Sequence, residues 1–273
     1  MKIVQTVVLA SFCSVAAAYA GEDRIVGGDG VPVGQKTWMT GIRDTADGMS
    51  RCGASLITPT KVLTAAHCAS RPYVSIGTHF KTNNTDGEQI KVMSEIKHPK
   101  YNMPDDNAAS WDYMILTLER PSKYKPIKLL KEDPTTYAGK MATVIGWGNT
   151  REEQNGTHDS ASNDLLRVDV KIRTMKECAN LGMKPLDDSM VCAGGIEGED
   201  TCNGDSGGPI FLETPQGDAQ FGIVSWGNRC ARKDQPGVYS CIFTVMDWVK
   251  KNAPGVKFIS LKAPKPHPAH QTP

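Results

Sequence analysis

Three side chains of the types that cooperate in nucleophilic catalysis stand far apart in this sequence. His67 follows the small and apolar stretch 63–66, Asp112 precedes the apolar stretch 113–116, and Ser206 lies among glycines. A serine hydroxyl is a weak nucleophile at neutral pH and needs a base within hydrogen-bond reach. Imidazole can take that proton and return it to a leaving group, while a carboxylate orients the ring. The chemistry that these three types predict is acyl transfer.

Each of the three residues has an ordinary interpretation when it is considered alone. A single histidine is most often a packing or surface residue, which is what we expect of His98. A single aspartate is most often a cap or a surface carboxylate, and a single serine is most often a turn residue. The catalytic interpretation therefore depends on the elements and motifs around them.

Short runs of β-type residues, broken by turn residues, predict the elements that position these side chains. The strand candidates are residues 54–57, 61–65, 113–118, 142–147, 165–172, 209–212, 221–226 and 237–243. One helix is predicted at 245–252, where Val245, Trp248 and Val249 share a face. Residues 254–273 are rich in proline and lysine, which predicts a flexible tail. The whole pattern favours an all-β architecture with a C-terminal helix.

Charge and the N-terminal segment limit the class of protein. The net charge of +1 favours no polyanionic partner, so no nucleic acid is expected. Residues 1–20 are typical of a signal peptide, with Lys2, an apolar run, and Ala18 and Ala20 at the cleavage site. A membrane anchor is the competing interpretation, but polar residues interrupt the run. We therefore expect a secreted, extracellular protein with no membrane attachment, in which disulfides form.

The cysteine count and two sequons agree with secretion. Of eight cysteines, Cys13 lies in the predicted signal peptide, and the remaining odd number leaves one thiol without an internal partner. Asn83 and Asn155 begin glycosylation sequons in polar stretches, although such sequons also arise by chance.

The segments around His67, Asp112 and Ser206, together with Ile-Val-Gly-Gly at 25–28, resemble the trypsin-like members of the chymotrypsin family of serine proteases. The chain order His, Asp, Ser is that of this family and differs from other serine hydrolases. The resemblance covers residues 25 to about 252.

The resemblance implies a fold of two antiparallel six-stranded β-barrels with a C-terminal helix. The implied protease domain spans 25–253, with barrels at roughly 25–130 and 131–244. His67 and Asp112 would come from the first barrel and Ser206 from the second.

The resemblance also implies how the site works. His67, Asp112 and Ser206 would form the triad, and the backbone N–H groups of Gly204 and Ser206 would form the oxyanion hole. No cofactor or metal is implied.

Activation by cleavage follows from the same resemblance. Residues 21–24 would be an activation propeptide, removed by cleavage after Arg24. The freed amine of Ile25 would then insert beside Asp205 and order the oxyanion hole, because a buried carboxylate without a cation is costly.

Specificity for basic residues is the next implication. Asp200 stands where the family has the floor of its primary pocket, and an anionic floor selects arginine or lysine. The remaining residues expected to bind substrate there are Thr201, Ser225, Trp226, Gly227 and Gly237. Arg229, at the pocket mouth, either restricts or selects substrate or points to solvent.

The disulfides implied by the resemblance are Cys52–Cys68, Cys178–Cys192 and Cys202–Cys230. Cys241 is left over, either as a buried free thiol or in an intermolecular disulfide.

Metal sites are not expected. Thr78 and His79 stand where trypsins that bind calcium would need an early acidic ligand, so Asp86 and Glu88 alone do not predict a calcium site. Two histidines in the tail, His267 and His270, do not predict a metal site either.

The expected activity is hydrolysis of peptide bonds after Arg or Lys, in protein or peptide substrates, by a monomer that protein protease inhibitors would block. The alternative is a secreted pseudo-protease of the same fold that binds a partner, such as a glycosidase, without cutting it; the intact triad, Gly204 and Asp205 argue against it. A disulfide-linked adhesion module would rest on Cys241 and the tail, and it leaves the triad unexplained.

Overall fold

A computed structural model describes residues 28–82, 85–104, 108–151 and 160–261. The predicted signal peptide, Arg24, Ile25, the sequon asparagines Asn83 and Asn155, His267 and His270 lie outside these residues. The strands are β1 Asp29–Gly30, β2 Met39–Arg43, β3 Ser50–Thr58, β4 Lys61–Thr64, β5 Tyr73–Ile76, β6 Glu88–Lys97, β7 Met114–Leu118, β8 Lys128–Leu130, β9 Met141–Gly146, β10 Leu166–Arg173, β11 Met190–Gly194, β12 Pro209–Leu212, β13 Ala219–Trp226, β14 Pro236–Cys241 and β15 Phe258–Ile259. The helices are α1 Met175–Asn180 and α2 Met246–Asn252.

Two closed antiparallel barrels of six strands make up the fold. The first has the strand order β2-β3-β4-β7-β6-β5, and the pairing of β2 with β5 closes it. The second runs β9-β10-β11-β14-β13-β12, and the pairing of β12 with β9 closes it. Closure leaves no unpaired edge in either barrel. The predicted fold class is therefore confirmed.

Alternation of side chains explains how the strands build these cores. In β10, Leu166, Val168, Val170 and Ile172 point inward and are buried, while the residues between them are half-buried or exposed. This is the period-two pattern of a strand with one face on a core. The first barrel was harder to predict from sequence, since β2, β5 and β6 were not among the strand candidates.

The C-terminal segment departs from the prediction. Residues 254–273 were expected to form a flexible tail, but β15 pairs in parallel with β8 through Phe258 opposite Leu129. Ile259 and Leu261 pack against the second core. The prediction is therefore wrong for residues 254–261, where the apolar side chains of Val256, Phe258, Ile259 and Leu261 pack against the cores.

Of the two α-helices in the described residues, α1 begins with a side-chain cap and α2 does not. Thr174 and Glu177 form a reciprocal capping box at the start of α1, a helix that was not predicted from the sequence. The predicted helix at 245–252 is present as α2, preceded by a 3₁₀ turn over Ile242–Val245. No helix within the described ranges is both long and apolar enough to cross a membrane.

All three implied disulfides are present: Cys52–Cys68, Cys178–Cys192 and Cys202–Cys230. Cys241 is a free thiol, and it is buried in the second core. Burial raises the pKa of this thiol to about 11, because the thiolate would lose its hydration.

Candidate active site

His67 and Asp112 form a tightly hydrogen-bonded pair in the first barrel. His67 lies in the 3₁₀ turn that follows β4, and Asp112 lies two residues before β7, the neighbouring strand. The His67 Nδ1 atom is 2.7 Å from Oδ2 of Asp112, and the His67 backbone N–H donates to Oδ1 at 3.0 Å. The carboxylate thus fixes both the ring and the backbone of the histidine.

The second barrel also holds the Asp112 carboxylate. The Ser225 hydroxyl donates to Oδ2 of Asp112 at 2.7 Å, and the Ser240 hydroxyl donates to its backbone carbonyl at 3.0 Å. Burial alone would raise the pKa of Asp112. The hydrogen bonds from His67 and Ser225, together with the charge of His67, outweigh burial and hold that pKa below its ordinary value. Asp112 therefore stays ionised beside the imidazole.

The backbone of Trp111, just before Asp112, is strained, and the residue is held by a hydrogen bond and a ring contact. Trp111 has φ +54°, a conformation that bulky side chains rarely adopt. Its N–H donates to the Ser189 hydroxyl at 3.0 Å, and its ring stacks on His98 with centroids 5.0 Å apart. His98 is therefore a packing residue, as predicted.

Ser206 lies where the two barrels meet. Its carbonyl accepts a hydrogen bond of 2.8 Å from the Gly53 N–H in β3 of the first barrel. A Cβ at Gly207 would lie 2.3 Å from the Thr64 hydroxyl, so the chain after Ser206 passes too close to the first barrel for a side chain. In the described part of the chain, no hydrogen bond joins the Ser206 hydroxyl to the His67 ring, although both residues line one cavity.

The resemblance assigns the backbone N–H groups of Gly204 and Ser206 to the oxyanion hole. Within the described residues, the amides of Gly204 and Ser206 donate to no acceptor of the chain. Gly204 has φ +102°, which a residue with a side chain would adopt only with strain.

Asp205 lies completely buried behind this loop. Its carboxylate accepts from the backbone N–H groups of Gly148 at 2.8 Å and Cys202 at 3.0 Å. Burial raises the pKa of Asp205 to about 6, although these hydrogen bonds and the charge of Lys81 oppose the rise.

A cavity of about 650 Å³ joins His67 and Ser206 to Asp200. The Asp200 carboxylate accepts from the N–H groups of Thr201 at 2.8 Å and Ala231 at 3.1 Å. Burial raises the pKa of Asp200 to about 7 despite these bonds. The lining consists of His67, Met103, Ala108, Ala109, Lys184, Asp200, Thr201, Cys202, Asn203, Ser206, Val224, Ser225, Trp226, Gly227, Asn228, Arg229, Cys230 and Gly237.

The cavity therefore brings together every residue that the resemblance put in the specificity pocket. Cys202–Cys230 staples the segment that carries Asp200 to the segment that carries Gly227. Arg229 lines the cavity as well. Sequence reasoning missed Met103, Ala108, Ala109 and Lys184, which come from loops and carry no motif.

Two carboxylates, Asp86 in the loop between β5 and β6 and Glu88 at the start of β6, are engaged by hydrogen bonds. Asp86 accepts from the Thr78 hydroxyl at 2.6 Å and from the His79 N–H at 2.5 Å. Glu88 accepts from the Ser122 hydroxyl and the Lys123 N–H. Calcium requires six or more oxygen ligands, so these two engaged carboxylates do not by themselves predict a calcium site.

Comparison with known proteins decides the family. The family model described as Trypsin matches residues 25–249. The chain belongs to the trypsin family. Its fold is that of a trypsin-like serine protease, a class of hydrolases.

Individual relatives of this trypsin-family chain carry two kinds of name. Glucanase inhibitor protein 1 of Phytophthora infestans is 42% identical over 258 residues, covering 91% of this chain and 96% of that protein. Human kallikrein-8 is 38% identical, covering 85% of this chain and 87% of that protein. Among solved structures, neuropsin, a serine protease of mouse brain, superposes with a TM-score of 0.72 at 30% identity, covering 82% of this chain and 98% of that chain.

Proposed function

We propose that this trypsin-family protein is a secreted serine endopeptidase that cleaves peptide bonds after arginine or lysine. The observation that carries the proposal is the buried Asp200 carboxylate, which lies in the same cavity as His67 and Ser206. An arginine or lysine side chain entering that cavity would neutralise Asp200, and the scissile carbonyl would then lie near Ser206.

In the first half of the proposed reaction, the Ser206 hydroxyl oxygen bonds to the scissile carbonyl carbon and His67 takes the hydroxyl proton. The free N–H groups of Gly204 and Ser206 stabilise the oxyanion, and one such donor contributes about 3–4 kcal/mol. Asp112 stabilises the imidazolium. His67 then gives its proton to the leaving nitrogen, the C–N bond breaks, and an ester of Ser206 remains.

In the second half, water takes the place of the departed amine. His67 removes a proton from water as the water oxygen bonds to the ester carbon, and it returns that proton to the Ser206 oxygen as the ester breaks. The products are a carboxylic acid and the regenerated serine.

Hydrolysis of short arginine, lysine and phenylalanine amides by protein cleaved after Arg24 tests this proposal. We expect turnover of the two basic substrates only, and none by the Ser206→Ala variant, which serves as the blank. Absence of turnover from protein with a free Ile25 amine would overturn the enzymatic proposal.

We propose further that the protein is made as a precursor activated by cleavage after Arg24. Because Asp205 is buried without an ion pair within 4 Å in the described residues, the Ile25 amine would supply the missing cation. The uncleavable Arg24→Gln variant should hydrolyse arginine amides at least 100-fold more slowly than the cleaved protein. Equal rates would contradict activation.

A second candidate function is favoured by one observation, the name of the Phytophthora infestans relative. By that similarity, the protein would bind a glucanase and inhibit it. The Ser206→Ala variant discriminates between the two functions, because inhibition by binding does not need the nucleophile. Inhibition of a glucanase by this variant at stoichiometric concentration, without cleavage of the glucanase, would support the second candidate.

A further inference from the structure

Lys81 reaches from the first barrel to the segment behind the oxyanion loop. We name residues 203–206 the oxyanion loop and residues 147–149 the support segment. The Lys81 ammonium donates to the Trp147 carbonyl at 3.1 Å. Lys81 is half-buried in the loop between β5 and β6, far from any motif of the proposed catalytic site.

The oxyanion loop rests on the support segment at three places. The Gly148 N–H donates to Oδ1 of Asp205 at 2.8 Å, and the Asn149 N–H donates to the Asn203 carbonyl at 2.8 Å. A Cβ at Gly204 would lie 3.1 Å from the Gly148 Cα atom, so the two backbones are in close contact. Movement of the support segment would therefore move the oxyanion donors.

The β5–β6 loop forms two hydrogen bonds with Trp147 of the support segment. The indole Nε1–H donates to the His79 carbonyl at 2.9 Å, while the carbonyl of the same tryptophan accepts from Lys81. The Lys81 backbone N–H in turn donates to the Asn163 carbonyl at 2.7 Å. Backbone bonds thus fix the lysine where its ammonium meets Trp147.

The charges of Lys81 and Asp205 also link the β5–β6 loop to the oxyanion loop. Burial lowers the pKa of Lys81, Asp205 opposes that effect, and Arg51 adds to it. In return, Lys81 is the cation whose charge lowers the pKa of Asp205. A cation that is partly desolvated near a fully buried carboxylate interacts with it more strongly than it would in water.

We propose that Lys81 is a positioning residue for the oxyanion loop, holding the support segment in place and giving Asp205 a nearby cation before the chain is cleaved. The catalytic part of this inference rests on the proposed endopeptidase function. The mechanical part, the restraint of residues 147–149, does not.

Amide hydrogen exchange in the uncleaved full-length Arg24→Gln protein tests the mechanical part. Lys81→Met keeps the length of the side chain and removes its charge and its hydrogen bond. Lys128→Met is the matched control, because the Lys128 ammonium donates to the Gln216 carbonyl at 3.0 Å, away from the site. We expect exchange at Gly148 and Asn149 to rise about tenfold in Lys81→Met only. Equal exchange in the two variants would overturn the proposal.

Kinetics of the cleaved protein test the catalytic part. We expect Lys81→Met to lower kcat for an arginine amide about tenfold, to leave the dissociation constant of benzamidine within about twofold, and to be rescued by Lys81→Arg. Unchanged kcat, or weakening of benzamidine to the same extent as kcat, would count against a positioning role. If the cleaved wild-type protein hydrolyses nothing, the proposed function fails, and hydrogen exchange still decides whether Lys81 restrains the support segment.

Discussion

The Gly53 N–H of the first barrel donates to the Ser206 carbonyl of the second at 2.8 Å. Because His67 also belongs to the first barrel, this bond fixes the position of the Ser206 backbone relative to His67. A Cβ added at Gly53 would lie 2.7 Å from the Gly208 Cα atom, a distance at which backbone must move. At this point the two barrels meet backbone to backbone, and the geometry of the site depends on glycine at position 53.

Gly53→Ala should for this reason push the barrels apart at the active site. Overpacking of this kind costs about 1–3 kcal/mol. We expect kcat/KM for an arginine amide to fall about tenfold or more and thermal stability to fall with it. Gly30→Ala is the control, since a Cβ there meets nothing within 4 Å. Equal activity of the two variants would show that the interface yields without moving Ser206.

Binding of a cationic ligand should depend on pH through Asp200. Burial raises the pKa of this carboxyl to about 7, so it is largely protonated and neutral at pH 5. Because benzamidine binds the ionised form, we expect its dissociation constant to fall about tenfold per pH unit between pH 5 and 6.5 and to level off above about 7. Titration calorimetry measures this, with Asp200→Asn as the variant that should bind weakly at every pH. A flat profile for the wild type would contradict the raised pKa.

The raised pKa of Asp200 also makes the free energy of unfolding depend on pH. A rise in pH strengthens ligand binding but weakens the folded state. The folded chain holds a proton on Asp200 between about pH 4 and 7, where the unfolded chain has lost it. Asp200 therefore lowers the free energy of unfolding as the pH rises through this interval, and Asp200→Asn should remove that part of the pH dependence. Urea unfolding at pH 5 and pH 7.5 measures the difference.

Cys241 should be chemically silent in the folded protein. Its side chain is buried, and its pKa is raised to about 11, so little thiolate exists at pH 8 and reagents cannot reach it. We expect iodoacetamide to label Cys241 only after denaturation and the secreted protein to run as a monomer on a non-reducing gel. A disulfide-linked dimer that Cys241→Ser abolishes would instead favour the intermolecular alternative.

Truncation at two points in the C-terminal segment tests how much β15 contributes to stability. Removing residues 254–273 deletes β15 and its pairing with Leu129 and Leu130. We expect the unfolding temperature to fall by about 4 °C or more, because Phe258, Ile259 and Leu261 lose their contacts with the cores. Removing residues 262–273 alone is the control and should leave that temperature within about 1 °C. Equal effects would mean that β15 adds no stability.

Much of the fold was accessible from local pattern. The run of β-type residues at 165–172 predicted β10 to within one residue, because β-branched and apolar residues favour a strand locally. β6 was not predicted, since most of its residues are half-buried or exposed and its pairing with β5 and β7, not its own hydrophobicity, makes it a strand. β15 escaped for a similar reason, because its two residues are held by β8.

What the sequence by itself determined is the set of reactive types and their order: His67, Asp112 and Ser206, with Asp200 nearby and cysteines able to pair. Such motifs are local in sequence, so they can be recognised in a single chain without its structure. Only the tertiary structure decided that Ser225 holds Asp112, that Gly53 holds Ser206, and that Lys81 reaches Trp147. These contacts join residues distant in sequence through backbone and single hydrogen bonds, which depend on where the two barrels dock and leave no periodic trace along the chain.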